Sequence, residues 1–158
     1  LIITGSQGKG KTTYLEGIVD SKTAGVYSKV VFENNERIGY DAVIIGSDER
    51  MHLCRRDYNS DLTLGKFGFH RDTFSLITEN IMNKDKSTYE SIIIDEIGLL
   101  EKEKKGWYDL MKWAISEKDI KLVLSVRKDV LKEITEELDG REYEVVDMDL
   151  DSGIRMRI

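Results

Sequence analysis

Eight consecutive residues, Gly5-Ser6-Gln7-Gly8-Lys9-Gly10-Lys11-Thr12, satisfy the pattern G-x-x-x-x-G-K-[ST], and each fixed position has a task in holding a triphosphate. The glycines let the backbone wrap closely and turn its N–H groups inward. A helix starting near Lys11 adds its positive end at the same place, the Lys11 ammonium reaches the β- and γ-phosphates, and the Thr12 hydroxyl ligates magnesium. Ser6 and Thr13 supply further phosphate contacts, while Lys9 stands at a variable position that suits either phosphate or solvent. The expected nucleotide-binding set is therefore Gly5, Ser6, Gln7, Gly8, Lys9, Gly10, Lys11, Thr12 and Thr13.

A second cluster complements the first. The run Ile92-Ile93-Ile94 ends in Asp95-Glu96, and an Asp closing a buried strand beside a phosphate loop can hold the magnesium shell together with Thr12. Adjacent strand residues point to opposite sides, so the two carboxylates can divide the labour, Asp95 toward the metal and Glu96, as general base, toward the water that attacks the γ-phosphate. Asp95-Glu96-Ile97-Gly98 also fits D-x-x-G, which makes a guanine-specific GTPase a rival. That class needs N-K-x-D as well, and Asn83-Lys84-Asp85-Lys86 lacks its last Asp and precedes the acidic strand; we read it as a polar helix end. Phosphoryl transfer also gains from an arginine that meets charge developing in the transition state. Arg127, directly after an apolar strand, is the choice; Arg37, Arg55, Arg56 and Arg71, in or beside loops, are the other candidates.

Alternating β and α patterns must position these groups. Leu1 to Thr4 reads as a strand, Lys11 to about Asp20 as a helix with Leu15, Ile18 and Val19 on one face, and Val26 to Phe32 with Ile38 to Ile45 as a hairpin turning at Glu33-Asn34-Asn35-Glu36. Residues 47 to 63 read as irregular, Leu64 to Phe69 as a short strand, and Phe74, Ile77, Ile81 and Met82 as the stripe of a helix capped by Asp72 or Thr73. After the acidic strand come a helix through Trp107, Leu110, Met111, Ala114 and Ile115, a strand over Lys121 to Val126, a helix through Val130, Leu131, Ile134 and Leu138, and a last strand from Tyr143 to Met148. The charged stretch Glu101-Lys102-Glu103-Lys104-Lys105 reads as solvated, or as a loop over the nucleotide. The expectation is an α/β fold: a single three-layer P-loop NTPase domain over residues 1–158, with a mostly parallel central sheet and a β-hairpin addition.

At 158 residues and 40% hydrophobic, the chain can bury one sizeable core. A net charge of -6 offers no footprint for nonspecific nucleic-acid binding. The apolar tetrad at the start is too short for a signal peptide or a membrane span, and nothing later approaches a span, so no membrane partner is expected. The abbreviated first strand leads us to expect a few residues before Leu1. One cysteine, Cys54, permits no internal disulfide and points to a reducing compartment, read as cytoplasm. His52 and His70 lie far apart in sequence without companions at ligand spacing, which argues against zinc.

Taken in order, Thr4-Gly5 through Thr13, Arg37-Ile38-Gly39-Tyr40-Asp41, Gly65-Lys66-Phe67-Gly68 and Ile94-Asp95-Glu96-Ile97-Gly98 resemble the small nucleoside-triphosphatase family first described from thermophiles, over nearly the whole chain. The resemblance implies a RecA-like α/β domain and slow, magnesium-dependent hydrolysis of ATP and other nucleoside triphosphates with loose base selectivity. It carries the roles of Lys11, Thr12, Asp95 and Glu96. The chain departs from the family at Leu99-Leu100-Glu101, where Lys-Met-Glu is usual, and at Phe69-His70. A nucleoside or nucleotide kinase, or a nucleotide-dependent module that binds a protein or RNA, uses the same loop and stays open at this point.

Overall fold

The computed structural model describes residues 1–47 and 49–150 in full and residues 155–157 as backbone. β1 (Ile2–Gly5) runs into the phosphate loop and α1 (Lys11–Ile18), and β2 (Thr23–Glu33) pairs with β3 (Glu36–Ile44) as a hairpin. β4 (Arg50–Arg56), β5 (Thr63–Leu64) and β6 (Phe67–Phe69) extend it, and α2 (Arg71–Met82) carries the chain back to β7 (Ser91–Ile97). Then follow α3 (Leu99–Lys102), α4 (Tyr108–Ser116), β8 (Lys121–Arg127), α5 (Leu131–Glu136), β9 (Glu144–Asp147) and β10 (Arg155–Arg157).

All ten strands join one sheet, in the order β10-β9-β1-β8-β7-β2-β3-β4-β6-β5. The middle strands β9, β1, β8, β7 and β2 are parallel. β10 is antiparallel at one edge, and β3, β4, β6 and β5 are successively antiparallel at the other. The α/β class with a mostly parallel centre and a β-hairpin addition holds, and three further antiparallel strands, β4, β6 and β5, extend the hairpin. Alternate residues of the central strands feed separate cores. Ile2, Ile92, Ile94 and Leu124 pack with Phe74, Ile77 and Trp107 under α2, α4 and α5, whereas Ile3, Ile93, Val123 and Val146 pack with Leu15 of α1. Burial on both faces explains why Ile92-Ile93-Ile94 shows no alternation.

Several elements differ from the sequence reading. Residues 47 to 63 are not irregular, because β4 lies among them with Leu53 and Cys54 buried. Its Arg55 and Arg56 are accommodated by ion pairs with Asp41 and Glu36, which a hydrophobic pattern cannot reveal. The segment from Leu64 to Phe69 is split between β5 and β6. α2 starts after His70 without a side-chain cap, and Thr73 instead donates its hydroxyl to the His52 carbonyl at 2.7 Å. α1 ends at Ile18, whose side chain is exposed, and β10 was not expected. The β2–β3 turn fits the expectation, since Asn34 and Asn35 take φ of 49° and 63°, as a two-residue hairpin loop requires. Among the described residues no helix is long and apolar enough to cross a membrane.

Candidate active site

Three parallel strands, β1, β8 and β7, end side by side, with Gly5 level with Arg127 and Thr4 with Val126. The loop leaving β1 passes through Gly8 and Gly10, at φ of 79° and 83°, before α1 begins. The left-handed backbone excludes most other residues there and turns the loop into a bowl. The buried Lys11 ammonium lies in that bowl, donating to the Gly5 and Ser6 carbonyls at 2.9 and 3.1 Å. Thr12 donates its hydroxyl to Asp95 Oδ2 at 2.8 Å, and the Ser28 amide reaches the same oxygen at 3.2 Å. Asp95 is fully buried, and burial raises its pKa against the pull of these bonds. The buried Ser125 hydroxyl faces Asp95 without a hydrogen bond of regular geometry.

Glu96 stands where β7 breaks step. Ile94 pairs with Leu124 and Ile97 with Val126, so Asp95 and Glu96 together oppose Ser125 alone. This is a β-bulge, with Glu96 in the left-handed region at φ 61°. The extra residue lets Ile97 rejoin the core that holds Ile92 and Ile94 and turns Glu96 out of both cores, not onto the face opposite Asp95 as simple alternation implies. Its side chain meets solvent, yet it sits low in a concave site with protein on most sides. That crowding, followed by the neighbouring Asp95 charge, pushes its carboxyl up to about 7, against the pull of Lys11 and Arg127.

The following loop is fixed from within. Glu101 is buried, not solvated as its charged surroundings suggest, and accepts from the Gly98 and Trp107 amides, both at 2.8 Å. Burial raises its carboxyl to about 6 against those two bonds. Arg127 reaches the site from the end of β8 and crosses Gly98 closely, but its guanidinium is held by Asp129 through bonds of 3.1 and 2.8 Å. Arg55, Arg56 and Arg71 are likewise paired, with Asp41, Glu36 and Asp61.

Two features of the site were not predicted as such. Asp149, beyond β9, accepts from the Ser6 amide at 3.0 Å and from its hydroxyl at 2.9 Å, and those bonds hold the carboxyl at about 2. Tyr40 of β3 takes a hydrogen bond from Gln7 of the phosphate loop at 3.4 Å and from Arg37 at 3.0 Å. Neither contact has a local sequence signature, since 143 and 33 residues separate the partners.

The donors present suit a hard cation: the Thr12 hydroxyl and an Asp95 oxygen stand together, both oxygens. Among the described residues no group of three or more His, Cys, Asp or Glu could hold a metal unaided. His52 and His70, distant in sequence, come within 5.9 Å between ring centroids. A cavity of about 650 Å³ lined by Ile44, Gly46, Leu76, Asn80 and Lys84 lies toward the amino ends of the parallel strands, away from the phosphate loop.

Comparison with known proteins agrees with this geometry. A family model described as NTPase matches residues 1–153. A nucleoside-triphosphatase THEP1 of Metallosphaera sedula is 29% identical over 155 residues, covering 96% of this chain and 80% of that protein. Another, of Sulfurisphaera tokodaii, is 30% identical over 135 residues, covering 80% and 76%. The crystal structure of THEP1 from the hyperthermophile Aquifex aeolicus superposes with a TM-score of 0.71 at 25% identity, covering 93% of this chain and 87% of that one.

Proposed function

Since the chain belongs to the NTPase family, we propose that it hydrolyses ATP, GTP and other nucleoside triphosphates to the diphosphate and phosphate in a magnesium-dependent reaction. The observation that carries the proposal is the convergence of Lys11, the Thr12–Asp95 pair and Glu96 at neighbouring strand ends. Loop amides and the α1 terminus receive the β- and γ-phosphates, and Lys11 exchanges its two carbonyl partners for phosphate oxygens. Thr12 and Asp95 would hold magnesium with those oxygens, and the ion when bound neutralises charge on the phosphates. Glu96 accepts a proton from the attacking water, whose oxygen bonds to the γ-phosphorus while the bond to the bridging oxygen breaks. A carboxyl near 7 is well matched to that task at neutral pH.

Arg127 acts on the base. Its charge favours ionised Glu96, although Asp129 occupies its guanidinium. Loose base selectivity is consistent with the incomplete N-K-x-D pattern, and a cytoplasmic location with the single, buried Cys54. The test is phosphate release from a panel of triphosphates with magnesium or chelator. Lys11→Ala and Glu96→Gln should each lose at least about 100-fold, the scale of a general base or phosphate cation. Undiminished release in both rejects the proposal.

A further inference from the structure

The hairpin that widens the sheet also overhangs the phosphate loop. Ser28 is level with the end of β7, since its amide bonds to Asp95, and β2 continues from there to Glu33. On the returning strand Tyr40 pairs with Val30 and Arg37 with Phe32, so both stand past the carboxyl ends of the parallel strands, on the side of the bowl. Lys29 pairs with Glu16 of α1, fastening the hairpin to the loop's own helix.

The hairpin's sequence is built to hold Tyr40. A register break between β3 and β4 falls at Tyr40 and Asp41. Gly39 permits it, because a Cβ there would come within 2.1 Å of the Cys54 carbonyl oxygen. Arg55 closes the break by bonding Asp41 at 2.6 Å and the Tyr40 and Cys54 carbonyls at 2.8 Å. Phe67 meets the Tyr40 ring edge-on at 6.5 Å, and the Arg37 guanidinium lies over both rings, at 5.6 and 5.7 Å from their centroids. The Tyr40 hydroxyl then gathers Arg37 from one side and Gln7 of the phosphate loop from the other. Of the five arginines that the sequence nominates, four are engaged by carboxylates. Of these five, only the guanidinium of Arg37 has no carboxylate partner among the described residues, and a single hydroxyl links it to the loop.

We infer that Arg37 is the catalytic arginine, contacting the γ-phosphate as charge develops in the transition state, with Tyr40 as its positioning residue. The assignment rests on the hydrolysis reading and replaces Arg127 in that one role. A cation whose other contacts are a neutral hydroxyl and two rings keeps its hydrogen-bonding capacity for substrate, whereas Arg127 would first have to leave Asp129. Motion of a side chain tethered at Tyr40 suffices, so the arginine acts in cis.

The experiment compares wild type, Arg37→Ala, Arg37→Lys, Tyr40→Phe and Glu96→Gln with the magnesium triphosphate. Arg37→Ala should lower kcat by about 1,000-fold or more while KM changes by less than about threefold. It should also lose retention of ADP with aluminium fluoride, yet bind a non-hydrolysable triphosphate nearly as wild type does. Arg37→Lys should recover part of the loss, and Tyr40→Phe should lower kcat about tenfold. If Arg37→Ala melts below the assay temperature, Arg37→Gln carries the same expectations. Intact ADP–aluminium fluoride retention, or a kcat within about tenfold of wild type, overturns the assignment. The underlying reading fails separately, if wild type releases no more phosphate than Glu96→Gln.

Discussion

Glu96, the proposed base, with its carboxyl near 7, makes the pH dependence of turnover the most direct probe of the site. Only ionised Glu96 can take a proton from water, so kcat/KM, which reports the free enzyme, should climb with pH and level off above about 8. With half of the sites ionised at pH 7 and about one in eleven at pH 6, the loss over that interval is about fivefold. Two variants move the limb in opposite senses. Arg127→Ala removes a charge that lowers the pKa of Glu96, so the limb shifts to higher pH. Asp129→Asn leaves Arg127 without its bidentate carboxylate, so more of its field acts on Glu96 and the limb shifts to lower pH.

The assay is phosphate release at subsaturating magnesium triphosphate, from pH 5.5 to 9 at constant ionic strength. Glu96→Gln serves as the control, because any limb that survives in its residual rate belongs to the substrate. A wild-type profile flat between pH 6 and 8, or an Arg127→Ala limb displaced to lower pH, would refute the assignment of Glu96 as the titrating base.

Two further predictions concern the scaffold. Gly39→Ala should destabilise the protein by about 1–3 kcal/mol in urea unfolding, because its Cβ meets backbone that cannot rotate away. It should also lower kcat, since Tyr40 moves with the break; unchanged stability and turnover would show that β3 and β4 part freely there. Glu101 has a folded-state pKa of about 6 against an ordinary 4.5. The unfolded state therefore gives up its proton first, and folding stability falls as pH rises from about 4 to 7, by about 2 kcal/mol in all. Glu101→Gln should remove that slope in denaturant titrations across the interval, and an identical slope in the variant would place its origin elsewhere.

The phosphate loop was legible because a ligand that binds through backbone amides dictates glycine at fixed positions, and those positions are local. The parallel strands were legible for a related reason: burial on both faces leaves unbroken apolar runs such as Ile92-Ile93-Ile94. β4 escaped because Arg55 and Arg56 are acceptable in a strand only through partners on β3, and nothing near them in sequence names those partners. Glu101 escaped for the converse reason, since a charged surrounding run concealed a buried carboxylate serving two amides. Five arginines could be nominated from the sequence, but choosing among them needed their ion pairs.

The groups given the chemistry share a structural device that explains why residue alternation could not place them. A regular strand offers its side chains to two faces, and here both faces of the central sheet are committed to core. A side chain that must project past the strand ends toward a phosphate has to leave that alternation, and an extra residue in one strand is the smallest change that allows it. β7 does so at Glu96, while at Tyr40 the extra residue is Leu53 of the neighbouring β4, and in each case neighbouring residues secure the irregularity. Ile97 returns to the core after the first, and Gly39 with Arg55 accommodates the second. The Asp-Glu-Ile-Gly element thus carries one bulge, at the proposed base, and Gly-Tyr-Asp lies opposite another, in β4, at the proposed arginine's support. Restoring regular register by deleting Glu96 should keep the sheet and abolish hydrolysis, with Ile97 still buried in the core.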